Sequence, residues 1–201
     1  LEGTKILVQS EKGEDCYLPI EEIKAGDKVW TYYWGYIPVA KNGYLVLDYQ
    51  KTNSNKGNRL YFYSKEKLHG LTEDLVLTGY HSVLVPYFTD KQREETLELF
   101  GKIYITDKLA RLAICLDERA QLYEKEGQYK VYHLALENTD YYTNYGILAN
   151  GMLTETTSLR MFEEGGFVIC SESGDWKEKV KNYPLSSDFK EHNYSKHCEW
   201  L

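Results

Sequence analysis

Thr78 and His81 are the pair in this chain whose types and spacing could do chemistry. They flank Gly79-Tyr80 between two short apolar runs, Leu75-Val76-Leu77 and Ser82-Val83-Leu84-Val85. An imidazole changes charge near neutral pH, so a T-x-x-H turn between strands could hold an acid–base group beside a hydroxyl partner. The plainer reading is that the two polar side chains satisfy the turn, with Gly79 letting the backbone bend sharply. A second histidine, His133, lies in the run 128–137, where period two puts Tyr129, Val131, His133 and Ala135 on one face. Tyr132, Leu134 and Leu136 fall on the other. Cys16, Cys115, Cys170 and Cys198 are scattered without a C-x-x-C pair and read as free, mostly buried thiols, which favours an intracellular setting over a secreted one. Cys170, His192, His197 and Cys198 are a conceivable metal set, but without a paired motif a solvated tail is the preferred reading, and no cofactor is expected.

The elements that must position these residues are short strands. Apolar runs at 3–8 and 15–20 flank a polar turn, and Ile20 and Ile23 fit one helical turn. Gly26-Asp27 turns into a strand through Val29 and Thr31, and 34–50 alternates around Asn42-Gly43, a strong hairpin signal. Residues 51–58 are polar and read as an exposed loop before the strand 59–63. The clearest helix is 89–100, with Thr89 and Gln92 as a capping box and Gly101 at its stop. Strands are expected at 102–106, 112–116, 128–137 and 142–149, with an exposed charged helix or turn at 117–126 and a tight Asn150-Gly151 turn into 152–156. A short helix at 158–164 and a strand at 166–170 precede a polar, irregular end. Nineteen tyrosines point the same way, toward strands.

Four segments, in order, resemble the Hint (Hedgehog/intein) family of self-processing domains. Gly3-Thr-Lys-Ile-Leu7 with Pro19-Ile-Glu-Glu-Ile-Lys-Ala-Gly-Asp-Lys-Val29 is similar to the family's opening strand and its P-I-E-x-[IL]-x-x-G-D-x-V turn. Thr78-Gly-Tyr-His81 matches its T-x-x-H, residues 131–137 its penultimate strand, and residues 144–154 its closing hairpin around Ala149-Asn150-Gly151. Thr89-Asp-Lys-Gln-Arg-Glu94 and Asp117-Glu-Arg-Ala120 are most similar to the Hint-like modules of large DNA viruses. The likeness covers residues 3 to about 158. It implies an all-β, Hint-type horseshoe of short, curved, mostly antiparallel strands with one inserted helix, spanning 1–158. Residues 159–201 would be an irregular C-terminal extension of unknown role, a possible surface for a protein partner.

The resemblance also implies a reaction. A cysteine attacks the carbonyl before it, the amide becomes a thioester, and a second nucleophile resolves it. His81 would protonate the departing nitrogen, Thr78 would hold that histidine or polarise the carbonyl, and His133 would be a second acid–base group. For His133 a hydrogen-bonded wall histidine is an equal alternative. The chain departs from the family twice. The cysteine belongs about two residues before Leu1 and is not in this sequence, and Cys16 is in the wrong place to replace it. The spliceable His-Asn ending is replaced by Glu155-Thr156, which has no amide to cyclise. N-terminal autoproteolytic cleavage from an upstream segment of its own precursor is therefore expected, not splicing. Cleavage before the cysteine would leave Cys-x-Leu-Glu-Gly-Thr, although a laboratory truncation explains a chain starting at Leu1 equally well. The alternative is a spent Hint scaffold acting as a structural or interaction protein, for instance in a virus particle. A formal charge of −7 without a long basic cluster makes nucleic acid a poor partner, and no apolar run among the 201 residues is long enough to cross a membrane. The self-cleavage reading requires that the Thr78–His81 turn face the place where Leu1 enters.

Overall fold

A computed structural model describes residues 1–181. Its opening hairpin, β1 (Lys5–Gln9) and β2 (Asp15–Pro19), leads through a 3-10 turn at Ile20–Glu22 to β3 (Lys28–Thr31) and β4 (Gly35–Tyr49). Next come β5 (Leu60–Tyr63), β6 (Leu75–Thr78) and β7 (Ser82–Val85). Helix α1 (Asp90–Phe100) is inserted before β8 (Ile105–Thr106) and β9 (Leu109–Ala113). The strands β10 (Gln121–Leu122), β11 (Gly127–Leu136), β12 (Gly146–Ala149) and β13 (Met152–Glu155) complete the body. Helix α2 (Leu159–Glu164), β14 (Val168–Glu172) and the one-turn α3 (Trp176–Lys179) follow.

The fold is all-β in character, and every strand pairing among the described residues is antiparallel. The larger sheet runs β11-β4-β3-β1-β12-β13-β7-β9-β8, with β2 on β1 and β14 on β4; a smaller sheet runs β10-β5-β6. Strands β6 and β7 are consecutive in sequence but belong to different sheets. The Thr78–His81 turn is therefore the crossing between the two sheets.

The main core is filled from both sheets: Ile6, Val8, Val29 and Ile147 from one, Tyr63, Leu75 and Leu77 from the other. Strand β11 follows the expected alternation. Tyr132, Leu134 and Leu136 enter this core, while Ala135 belongs to a second cluster with Tyr141, Leu159, Phe162 and Trp176. Lys41, almost fully buried, pairs with Glu163 at 2.7 Å and Glu172 at 2.9 Å and lies 4.3 Å from the Trp176 ring centre. Residues 159–180 thus pack α2, β14 and α3 onto β4, and α3 falls where an irregular chain is expected.

Helix α1 carries both halves of the Thr89/Gln92 capping box and ends on Gly101 at φ 71°. Other expectations fail for long-range reasons. Asn42-Gly43 is no hairpin but the middle of the fifteen-residue β4. The Asn42 amide is fully buried and donates to the carbonyls of Ile20 and Ile23 at 2.7 and 2.8 Å, holding the 3-10 turn against the strand. Gly43 permits close approach, since a Cβ there would stand 2.6 Å from the Val168 carbonyl oxygen of β14. The loop 51–58 is not wholly exposed, because Gly57 is buried under the Tyr80 ring. Asp117, expected on an exposed charged segment, is buried and bonded to Tyr63 Oη at 2.8 Å and Arg119. The strands at 102–106 and 142–149 are shorter than expected, beginning only at Ile105 and Gly146, and the one expected at 112–116 lies earlier, at 109–113, with 114–116 a 3-10 turn.

Candidate active site

The turn that carries His81 is fixed by its backbone before its side chains come into play. The His81 N–H donates to Thr78 O at 3.1 Å, and the His81 carbonyl accepts from Ile114 N–H at 2.9 Å. Gly79 N–H donates to Arg59 O at 2.9 Å, and its carbonyl accepts from Cys115 N–H at 3.1 Å. Gly79 is not in a left-handed conformation; it is needed because a Cβ would collide with the Lys56 carbonyl. Its role is close packing rather than the sharp bend its sequence position suggests.

On this frame Thr78 Oγ1 lies 2.7 Å from His81 Nδ1. The His133 ring stacks on the His81 ring at 4.8 Å between centres and 29° between planes. The His133 ring also makes a T-shaped contact with Phe167, 4.9 Å between centres and 73° between planes. In register His133 stands opposite Gly43, the residue without a side chain on β4. Strands far apart in sequence thus bring Thr78, His81 and His133 together.

Loss of hydration pushes the His81 pKa down to about 4, with the positive charge of the Leu1 amino group adding to the effect. His133 lies well below the ordinary histidine value for the same first reason, with His81 and the Leu1 amino group as lesser causes. Both rings are neutral at pH 7. The Leu1 amino group is itself lowered to about 6 by burial and donates to Thr4 Oγ1 at 3.2 Å and to Val76 O at 3.4 Å. Val76 is two residues before Thr78, so the first described residue is bonded to the strand that leads into the T-x-x-H turn. Beside it opens a groove of about 630 Å³ bounded by Leu1, Tyr44, Glu73, Tyr129 and Lys130.

Asn150 holds that entry in place. It adopts φ 48°, accepts from Lys5 N–H at 2.6 Å through Oδ1 and donates to Asp74 O at 2.8 Å through Nδ2. The Ala-Asn-Gly signal marks a turn in sequence; that its amide bridges β1 to the segment before β6 is visible only in three dimensions.

In sequence Glu155 is only a departure from the family's ending, yet both its oxygens accept from Ser82 N–H at 3.0 Å, one residue past His81. Burial raises its pKa to about 7. Cys16 is half-buried on β2, and Cys115 has its thiol pKa raised by burial, which keeps it protonated and weakly nucleophilic. Cys170 is exposed on β14, while His192, His197 and Cys198 lie outside the described residues. Among the described residues no cluster of His, Cys, Asp or Glu has metal-binding geometry, and no helix is long and apolar enough to cross a membrane.

Neither a family model nor a curated protein matches the chain. Among solved structures it is similar to the solution structure of a bacterial intein-like domain from Clostridium thermocellum, with 14% identity, 78% of this chain and 97% of that chain covered, and a TM-score of 0.44.

Proposed function

We propose that this chain is a Hint-type self-processing domain that cleaves the peptide bond ahead of a cysteine lying about two residues upstream of Leu1. The cysteine Sγ bonds to the preceding carbonyl carbon, the C–N bond breaks, and the freed amine takes a proton. Water then attacks the thioester, giving a carboxylate on the upstream segment and returning the thiol. The proton lost by the thiol is the one the freed amine gains, and His81 is suited to be its immediate donor to the leaving nitrogen, because a depressed pKa makes its imidazolium a strong acid. Thr78 orients the ring through Nδ1, and His133 supports it by stacking.

The observation that carries this reading is the position of Leu1, whose nitrogen lies 3.4 Å from Val76 O on the strand that leads into the Thr78–His81 turn. A chain extended upstream from that point starts beside His81. The test is a precursor with a reporter protein followed by Cys-x ahead of Leu1. The reading expects release of the reporter, slowed about 10²–10⁴-fold by His81→Ala, as for loss of a general acid–base group. Equal release from both precursors would refute the role of His81.

A second reading, an inactive scaffold serving as a structural or interaction protein, is favoured by one observation: His133 is packed between ring contacts, 4.8 Å from His81 and 4.9 Å from Phe167. A precursor with the cysteine restored that stays whole while folded would select it. The upstream segment remains the proposed partner in the first reading, and a protein bound through residues 159–201 in the second.

A further inference from the structure

We infer that Glu155 is a positioning residue for His81, fastening the last strand of the body to the backbone of the T-x-x-H turn. The inference rests on the proposed role of His81 for its catalytic meaning, but its geometry stands apart from that. Three backbone groups fix where the His81 ring originates. Two are engaged by the protein backbone: His81 N–H with Thr78 O, and His81 C=O with Ile114 N–H. The third, Ser82 N–H, is engaged by a side chain and is shared by both Glu155 oxygens.

In the register, β13 meets β7 at Thr154 opposite Val83 and meets β12 at Glu155 opposite Gly146. Glu155 is thus the end residue of β13 and bridges to the first residue of β7. A carboxylate here is a curious choice for structure alone, since a buried charge costs free energy that a neutral amide would not. What it adds is a charge-assisted bond that a proton weakens.

The groups facing it set when that happens. Arg111 on β9 favours the carboxylate, and the Ser82 N–H and hydroxyl favour it as well. Asp107 lies beyond, held by Gly146 N–H at 2.7 Å and Trp34 Nε1 at 3.1 Å, and is also influenced by Arg111. Loss of hydration outweighs these and brings the titration of Glu155 to about 7. On the other side of the turn the Leu1 amino group titrates near 6 and the His81 ring near 4. A step near pH 7 sensed at Ser82 and His81 therefore belongs to Glu155.

The experiment is an NMR titration of the chain as it stands, following the Ser82 amide and the His81 ring nitrogens from pH 5 to 9 in wild type, Glu155→Gln and Glu155→Ala. Wild type is expected to show an inflection near 7 at both positions. Glu155→Gln keeps one acceptor oxygen, so Ser82 hydrogen-exchange protection stays within about twofold while the inflection near 7 disappears and the one near 6 remains. Glu155→Ala is expected to lower Ser82 protection tenfold or more and to move the His81 ring signals. An inflection near 7 that persists in Glu155→Gln overturns the inference, even if Glu155→Ala fails to fold. So does unchanged Ser82 protection in a folded Glu155→Ala. None of these signals requires cleavage, so a precursor that never cuts would remove the proposed function and leave this result standing.

Discussion

His81 is set apart by its environment more than by its type. A histidine in water is half-protonated near pH 6.5, whereas this ring is neutral until about pH 4. Part of that depression comes from the Leu1 amino cation, which gives a sharp expectation. Acetylating Leu1 removes the charge, so the His81 pKa should rise above 4 yet stay below 6.5, because loss of hydration is the larger cause. A proton NMR titration of the ring reads this directly. Thr78→Val removes the oxygen 2.7 Å from Nδ1 and leaves the ring held by its stacking on His133 alone. In a cleavable precursor it is expected to slow release by up to about 10²-fold, the scale of a misplaced catalytic group, with little loss of stability. At this scale Thr78 and His81 were legible, since a hydroxyl and an imidazole three residues apart between apolar runs suggest a built turn. His133 was legible as a strand residue only. Its stacking on His81 joins a turn to a strand residue more than fifty positions away, and no local pattern encodes that.

Among the elements, β4 shows most clearly where local signals mislead. Asn42-Gly43 is the dipeptide of a tight hairpin, and in isolation it favours one. Here the Asn42 amide finds two carbonyls in the 3-10 turn, and Gly43 lets β14 approach, so tertiary contacts override the turn preference. Gly43→Ala should therefore push β14 outward. The cost expected from overpacking is about 1–3 kcal/mol, measured by urea unfolding, together with a change in the His133 ring signals as Phe162 and Phe167 shift. Helix α1 is the opposite case. Its cap and stop residues act within one turn of the chain, and the structure keeps both. The shortened strand at Gly146–Ala149 was not legible, because the tyrosine-rich residues before it look extended but bond to side chains of Asn138, Asp140 and Thr156 instead.

Across the whole molecule the histidines and Glu155 give stability a two-sided dependence on pH. His81 has a folded pKa below its unfolded value, so its contribution is present above about 6.5 and is lost as pH falls through about 4. Glu155 has a folded pKa above its unfolded value, so its contribution is present below about 4.5 and is lost as pH rises through about 7. Glu155→Gln should accordingly raise the melting temperature relative to wild type more at pH 8 than at pH 5, read by thermal unfolding at both. The gross arrangement, many antiparallel strands with one good helix, was readable from alternation and turn residues. That the chain's first residue and its last body strand bond to the two strands flanking the same turn, at Val76 and Ser82, was not, because it depends on the closure of the sheet order. The central claim concerns chemistry at that meeting point, and mass spectrometry tests it most directly. A folded precursor bearing Cys-x before Leu1, incubated with a small thiol, should yield the upstream segment as a thioester of that thiol and a fragment beginning with the cysteine. An intact precursor after the same incubation would contradict the account.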